Sequence, residues 1–398
     1  MPESTLTLDI EKLVDRARAL WRDSLSRGTT ARIEVFTKVS CRSKVARNHE
    51  GNGATLDHTH ETGLAVRVMQ AGHDHAGFAS ASGLSAEVVR WAMDTAGSFA
   101  GQVPASSPGP SDSIPAERWD LDAETELPAE DALMSGVASR PSVEWVEAGT
   151  TLEVLIGAEG WLAARRRHRI WALDAGARLL AQRGFSGWEH LLDGACREDS
   201  IGEHSNSEDL GVLALTPEAA SSVVAALVES FHRPGAPPST RSGPGWSVAD
   251  EPNRPGGLAG GSFDDAGFPA ESRVLAVDGV WMGGISGPGT FRRASFREPP
   301  TESATNLVMP PGNATGIPDG AAVARRCRVL RMSSELWVLE LDIKGGASPS
   351  GCERRWVRVR PQALLEACAS RLGGWKVTPS GPIVPWLLFE GLAATLEK

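Results

Sequence analysis

The 398-residue sequence contains no tyrosine, and only six of its 40 basic residues are lysine. Its five cysteines are widely spaced without a Cys-x-x-Cys pair, which is typical of reduced thiols rather than of a disulfide framework. The opening residues MPESTLTLDIEKLVDRARAL lack a basic start followed by an apolar run, and no segment approaches the ~20 apolar residues of a membrane span. We therefore expect a cytoplasmic protein that does not bind a membrane.

The charge and size of the chain limit the classes of protein it can belong to. Its 50 acidic and 40 basic side chains give a formal net charge of -10, which argues against nucleic acid as a partner. With 41% hydrophobic residues, the chain is long enough for two globular domains. We predict an α+β fold, with an N-terminal α/β domain of helices and antiparallel strands over residues 1–200 and a mainly β C-terminal domain over residues 208–398.

Apolar periodicity predicts the elements of the N-terminal domain. Asp9 is the expected N-cap of a helix that reaches residue 22, and Ser85 is the expected cap of a second helix over residues 86–100. Residues 31–39 and 63–69 alternate apolar and polar side chains, as strands do. Four prolines between residues 102 and 117 predict an exposed crossing.

Turn and cap residues divide the C-terminal domain. Thr216 and Pro217 predict the start of a helix that ends at His232. Residues 233–261, which include the run GGLAGG, are dense in Gly, Pro and Ser and predict a long surface loop. Short strands are expected at residues 274–277, 329–332, 336–343 and 356–360, and a helix at residues 361–371.

The nine histidines form no recognisable metal motif. With a turn near residues 71–72, His60 and His75 lie about 30 Å apart along a hairpin at ~3.3 Å per residue, too far for one coordination sphere. The sequence also lacks a His-Glu-x-x-His zinc motif, a G-x-x-x-x-G-K-[ST] phosphate loop and a G-x-S-x-G nucleophile elbow. We therefore predict no metal site in this chain.

Two charged clusters allow a functional and a structural interpretation. The basic run RRRHR at residues 165–169 lies between Trp161 and Trp171, and basic and aromatic side chains together can bind single strands. Its hairpin-like flanks favour instead an exposed, charged β edge that discourages aggregation. Asp264 and Asp265 could form a carboxylate pair for acid–base chemistry, but Gly267 and the proline two residues later favour a structural turn.

Several stretches together resemble the TldD/PmbA family, also called TldD/TldE, over nearly the whole chain. They are GLAVRV (63–68), GFASASGLSAEVVRWAMDTAGSFA (77–100), LEVLIGAEGW (152–161), GVLALTPEAASSVVAALVESF (211–231), SFDDAGFPAESRVLAVDGVW (262–281) and TNLVMPPG (305–312). The resemblance implies a two-chain metalloprotease assembly that acts on peptides.

The sequence departs from this family at the catalytic motif. TldD-type chains carry H-E-x-x-x-H on the helix after the first strand of the C-terminal domain, where this chain has Ala225, Ala226 and Ser230 at the approximate positions. Alanine can neither bind a metal nor transfer a proton. The family's metal-binding thiolate has Cys352 as its nearest candidate, and a lone cysteine is not a zinc site.

The departure makes the chain resemble the TldE or PmbA type. Such a subunit has no metal of its own, pairs as a heterodimer with a TldD-like chain that holds the zinc, and helps to enclose the peptide. Thr305 and Asn306 are the candidate substrate contacts, with a turn held by the Asn side chain as the alternative. The divergence and the arginine-rich composition favour the maturation of a peptide natural product. A self-contained metal-dependent peptidase and a homodimeric peptide-binding protein remain open.

Overall fold

The structure, a computed structural model, describes most of the chain. It covers residues 9–25, 32–48, 53–69, 75–98, 103–104, 117–123, 126–174, 179–196, 211–231, 246–293, 295–312, 314, 316–331, 336–344, 352–378, 382–391 and 395–397. No helix within these ranges combines the length and the apolar character needed to cross a membrane.

The N-terminal half forms one sheet and four helices. In chain order the elements are α1 (Ile10–Leu25), β1 (Arg32–Arg47), β2 (Ala54–Met69), β3 (His75–Ser82), α2 (Ala86–Ser98), β4 (Val103–Pro104), β5 (Glu117–Leu121), α3 (Glu130–Ala138), β6 (Val143–Ile156), β7 (Leu162–Asp174), β8 (Leu179–Arg183) and α4 (Trp188–Cys196). The strands lie in the order β4-β3-β2-β1-β6-β7-β5, and β8 also pairs with β7. All pairs are antiparallel except β5 with β7.

The predicted caps position the first two helices. Asp9 Oδ1 accepts hydrogen bonds from the backbone N–H groups of Glu11 at 3.0 Å and Lys12 at 3.2 Å, which satisfies donors that the first helical turn leaves open. Ser85 Oγ accepts a corresponding bond from the N–H of Val88 at 3.2 Å. Both predicted helices are confirmed by these elements.

The two faces of the N-terminal sheet have opposite character. Val35 and Val39 of β1 are buried on the face that α1 to α4 cover, where they pack with apolar residues of the helices. Because side chains alternate along a strand, Lys38 and Arg42 of β1 point to the other face. That face therefore carries charged side chains next to a buried apolar cluster that contains Phe36 and Leu155.

The C-terminal half is mainly β. Its elements are β9 (Val212–Leu215), α5 (Pro217–Phe231), β10 (Val248–Asp250), β11 (Arg273–Val277), β12 (Val280–Trp281), β13 (Phe291–Arg292), β14 (Thr301–Glu302), β15 (Leu307–Val308), β16 (Ala322–Arg331), β17 (Trp337–Lys344), β18 (Cys352–Val359), α6 (Pro361–Ala367), β19 (Cys368–Val377), β20 (Ile383–Glu390) and β21 (Thr395–Glu397). The large sheet has the order β12-β11-β10-β15-β20-β9-β16-β17-β18-β21, with β19 beside β20, and α5 packs against it. The predicted α+β fold class is confirmed.

Two predictions in this half are wrong. The helix predicted over residues 361–371 ends at Ala367, and the chain continues from Cys368 as β19. The end of the predicted surface loop is also wrong at residues 246–250, because Trp246 is fully buried and β10 pairs with two strands. Residues 251–261 are turns, as predicted, and residues 233–245 lie outside the described residues. Burial of a single large aromatic side chain outweighs the turn-rich composition around it.

The division into two domains stays a prediction. Residues 197–210, which contain the expected boundary, lie outside the described residues, as do residues 105–116 of the Pro-rich crossing. The start of the crossing, Val103–Pro104, pairs with β3 as a short strand.

Candidate functional site

A cavity of about 510 Å³ lies on the face of the N-terminal sheet opposite the helices. Strands β1, β6 and β7 supply one wall, and the chain between β10 and β15 supplies residues on the other side. Among the described lining residues, seven side chains are cationic: Lys38, Arg42, Arg165, Arg167, Arg169, Arg292 and Arg293. Three are carboxylates: Glu147, Glu153 and Asp265. The cavity is therefore strongly positive in a chain that is negative overall.

Arg165 connects the sheet to the opposite wall. Its Nη1 lies 2.7 Å from Asp265 Oδ1 and 3.3 Å from Glu153 Oε2, and its Nη2 donates to the carbonyl of Phe263 at 2.6 Å. Burial alone lowers the pKa of this guanidinium, but the charges of Asp265 and Glu153 outweigh burial and raise it. Arg165 is thus a fixed cation and a structural link.

Arg167 makes a second link two residues further along β7. It forms an ion pair with Asp120 of β5, and its Nε donates to the carbonyl of Gly260 at 3.1 Å. A Cβ atom at Gly261 would lie 2.6 Å from Arg167 Nη2, so the glycine allows this close approach. Burial, helped by the charge of Arg165, lowers the pKa of Arg167 to about 10, so it stays charged at neutral pH.

The prediction of an exposed β edge at residues 165–169 is therefore wrong. Strand β7 pairs with β6 on one side and with β5 and β8 on the other, and Arg165 and Arg167 are only 9% and 3% exposed. Their carboxylate partners Asp120 and Asp265 lie 47 and 100 residues away in the sequence. A local pattern cannot reveal partners at such separations.

Arg169 differs from these two arginines because it forms no ion pair with a carboxylate in the described part of the chain. The described residues contain no ion pair or hydrogen bond to its guanidinium, and its Nε is buried without a hydrogen-bond partner. Burial lowers the pKa of Arg169, Glu153 opposes that effect, and the nearby cations Arg165 and Arg183 add to it. An arginine remains protonated at neutral pH, so Arg169 presents to the cavity a charge that forms no direct ion pair with a described carboxylate.

Arg293 adds a second cation from the opposite wall, and its Nη1 donates to the carbonyl of Glu298 at 3.0 Å. Its guanidinium lies 4.8 Å from the centre of the Phe36 ring, and no ion pair with a described carboxylate is formed. Burial and the neighbouring charge of Arg67 lower its pKa to about 10. Arg292 instead donates its Nε to Thr305 Oγ1 at 2.7 Å.

The adjacent aspartates have different roles. Asp264 is fully buried and accepts backbone hydrogen bonds from Ala266, Phe268, Gly289 and Phe291 at 2.8–3.2 Å, which confirms the predicted structural turn. Asp265 lines the cavity, pairs with Arg165 and accepts the N–H of Arg293 at 2.7 Å. Burial alone raises the pKa of Asp265, but the nearby arginines lower it overall, so it is ionised.

A second cavity of about 230 Å³ lies beside α5. Ala225, Val228 and Glu229 line it from the helix, and residues 302–305 line it from the other side. Ala304 lines both cavities. Because Arg292 of the first cavity also bonds to Thr305 of the second, the two cavities are neighbours separated by one segment of chain.

The three positions of the missing zinc motif are all on α5. Ala225 lines the second cavity, Ala226 is buried against the large sheet, and Ser230 Oγ donates to the carbonyl of Ala226 at 2.9 Å. Zinc requires thiolate, imidazole or carboxylate ligands in a converging set. These residues do not fit a zinc ion.

The candidate substrate contacts, Thr305 and Asn306, come directly after Ala304 in the sequence. Thr305 reaches the second cavity, while Asn306 is fully buried. The Asn306 amide donates to the carbonyls of Glu251 at 3.2 Å and Pro252 at 3.3 Å and accepts the N–H of Ala259 at 3.2 Å. The side chain of Asn306 thus holds the glycine-rich turn, and its contact with substrate stays a prediction.

The remaining metal-binding residue types are dispersed. Met69 pairs with Ala76 in the hairpin, so His60 lies far along β2 from the turn. Cys327 and Cys368 are buried thiols whose pKa burial raises to about 12, and Cys352 begins β18. Within the described ranges, no three His, Cys, Asp or Glu side chains are grouped as a metal would require.

The fold is that of the TldE structures. The chain is similar to TldE from Thermococcus kodakarensis, with 13% identity, a TM-score of 0.67 and coverage of 97% of this chain and 99% of that one. It is also similar to a candidate modulator of a DNA gyrase from Thermotoga maritima, with 14% identity, a TM-score of 0.63 and coverage of 96% and 99%. A candidate modulator of DNA gyrase from Bacteroides thetaiotaomicron has 12% identity, a TM-score of 0.63 and coverage of 97% and 98%. No protein-family model and no curated protein matches the sequence significantly.

Proposed function

We propose that the chain is a non-catalytic subunit of the TldE or PmbA type, which pairs with a TldD-like zinc metallopeptidase and helps to enclose its peptide substrate. The observation that carries this proposal is the composition of α5. Ala225 faces a cavity where a metallopeptidase of this fold would need a ligand, and neither Ala226 nor Ser230 can supply one. The helix contains no histidine that could serve as a zinc ligand, and Glu229 is its only carboxylate at the cavity.

The two neighbouring cavities support a role in holding substrate. Small residues beside α5 leave room for a peptide, and the cationic cavity supplies charge for recognition. We also propose that the protein is cytoplasmic and that its substrate is the precursor of a peptide natural product. The zinc then belongs to the partner chain.

Co-expression tests this function directly. A tag on this chain is used to purify it alone and together with a TldD-like chain from the same genome that carries H-E-x-x-x-H. We expect a mixed complex that contains zinc and cleaves peptides, while the chain alone has neither zinc nor activity. Stoichiometric zinc with peptidase activity in the chain alone would support the self-contained peptidase instead. A homodimer that binds peptides and forms no mixed complex would support the third hypothesis.

A further inference from the structure

The cationic cavity contains side chains in regular rows across three strands. Residues paired between β1, β6 and β7 lie on one face, with adjacent strands about 4.8 Å apart. One row contains Lys38, Glu153 and Arg165, so a carboxylate lies between two cations. Each cation of this row has a carboxylate partner, since Arg165 lies 3.3 Å from Glu153 and Lys38 lies 3.6 Å from Glu61.

The row four residues further along the strands lacks the central carboxylate, and the row between the two contains Ser40, Thr151 and Arg167. It contains Arg42, Gly149 and Arg169, with the glycine at the place that Glu153 has in the first row. Arg42 lies 3.6 Å from Glu147 and is 43% exposed, while Arg169 forms no ion pair with a described residue. Two cations therefore flank a residue without a side chain, and Arg42 Cγ lies 3.0 Å from where a Cβ of Gly149 would be. Arg183 pairs with Arg169 across the strands, but its own charge is compensated by Asp122 at 2.6 Å.

We propose that this row binds a carboxylate group of a peptide, which takes the place between Arg42 and Arg169 that Glu153 takes between Lys38 and Arg165. Guanidinium groups form strong, directional hydrogen bonds with carboxylates. The inference rests on the proposed function and adds a substrate class to it: peptides with an acidic residue or a free C-terminus.

The adjacent cavity favours a peptide over a compact anion. Ala304 lines both spaces, so an extended ligand beside α5 can reach the cationic row with one group. The side chains of Trp145 and Trp171 also line the cationic cavity and offer apolar surface for the neighbouring part of the ligand. A chain molecule with one carboxylate matches this combination of charge and apolar surface.

Calorimetric titration with capped peptides tests the proposal. The ligands are Ac-Ala-Gly-Glu-Ala-Gly-NH₂, its Gln analogue, and the Gln analogue with a free C-terminal carboxylate, which separates a side-chain carboxylate from a terminal one. We expect at least one carboxylate peptide to bind about tenfold more tightly than the neutral peptide at 50 mM NaCl. The preference should shrink at 300 mM NaCl, where charges are screened more strongly.

Two variants and matched controls locate the effect. Arg169→Gln should reduce the preference to within about twofold, while Arg90→Gln, which removes an exposed charge from α2 on the other side of the sheet, should keep it. Gly149→Glu supplies the missing carboxylate and Gly149→Gln its neutral equivalent, so the Glu variant should unfold at a higher urea concentration. Both residues have the same size, which leaves charge as the difference.

Three outcomes would overturn the inference. They are equal affinity for all three peptides, a preference that survives in Arg169→Gln, and tighter binding of a single-stranded oligothymidine than of the carboxylate peptides. The titrations are made with the full chain and with its mixed complex. If an intact, active complex shows no charge preference, only the proposed substrate class is contradicted. If the complex does not form, the proposed subunit role is contradicted.

Discussion

Buried ionisable side chains are charged on one face of β7 and neutral on the other. On the cavity face, Arg165 and Arg167 remain charged because Asp120, Asp265 and backbone carbonyls surround them. On the helix face, His168 is buried beside Phe185, and burial lowers its pKa, so it is neutral at neutral pH. Burial depth alone therefore does not decide whether a group is charged. The partners that the rest of the chain supplies decide it.

The largest effect is expected from breaking the charged face. Arg165→Met leaves Asp265 buried without its main cation, and we expect the free energy of unfolding to fall by about 3–5 kcal/mol. Urea unfolding followed by tryptophan fluorescence measures this change. Arg90→Met, at an exposed position of α2, is the control and should change stability by less than about 0.5 kcal/mol.

A double variant separates the cost of leaving Asp265 unpaired from the cost of losing the ion pair itself. Arg165→Met combined with Asp265→Leu removes both charges of the pair, and we expect it to recover part of the lost stability, because Asp265 is then no longer a buried carboxylate without its cation. Recovery is incomplete because Glu153 also loses its ion pair with Arg165. A single Arg165→Met variant as stable as the native chain would show that the ion pair contributes nothing, and the charged face would then lose its structural role.

Local patterns predicted the helix face better than the cavity face. The spacing of apolar residues is enough to predict α1 and α2 with their caps at Asp9 and Ser85. The basic run with its hairpin-like flanks predicts an exposed edge for the arginines of β7 and is wrong, because the burial of a charge depends on carboxylates from distant segments. The role of Asn306 is likewise not predictable from local sequence, because it depends on contacts with residues 251–259. The motif around Asn306 predicts only where the residue stands in the chain.

We expect a smaller change in the free energy of unfolding on α5. Of its two neighbouring alanines, Ala226 lies in the core and Ala225 lines the second cavity. Ala226→Leu overpacks the core against the large sheet and should cost about 1–3 kcal/mol of unfolding free energy. Ala225→Leu extends into a cavity of about 230 Å³ and should cost less than about 0.5 kcal/mol. Paired urea titrations compare them, and equal costs at both positions would contradict the orientation of the helix.

The smallest expected effect is the pH dependence of stability that comes from His168 on the helix face of β7. His168 Nδ1 lies 2.8 Å from Thr150 Oγ1, and its Nε2 has no hydrogen-bond partner among the described residues. Burial lowers its pKa below 6.5, Asp122 opposes this shift, and Arg166 adds to it. The unfolded chain therefore binds this proton more readily than the folded chain, so the stability is complete above about pH 6.5 and is lost as the pH falls.

Unfolding measured at pH 7.5, 6.5 and 5.5 checks the sign and the location of this effect. We expect the native chain to lose more stability over this range than His168→Phe, which cannot take up a proton and keeps a ring beside Phe185. His190→Gln changes a histidine of α4 whose side chain is 88% exposed, and it should retain the native pH dependence. Identical slopes for the native chain and His168→Phe would mean that the helix face tolerates charge as the cavity face does, because protonation of His168 would then cost nothing.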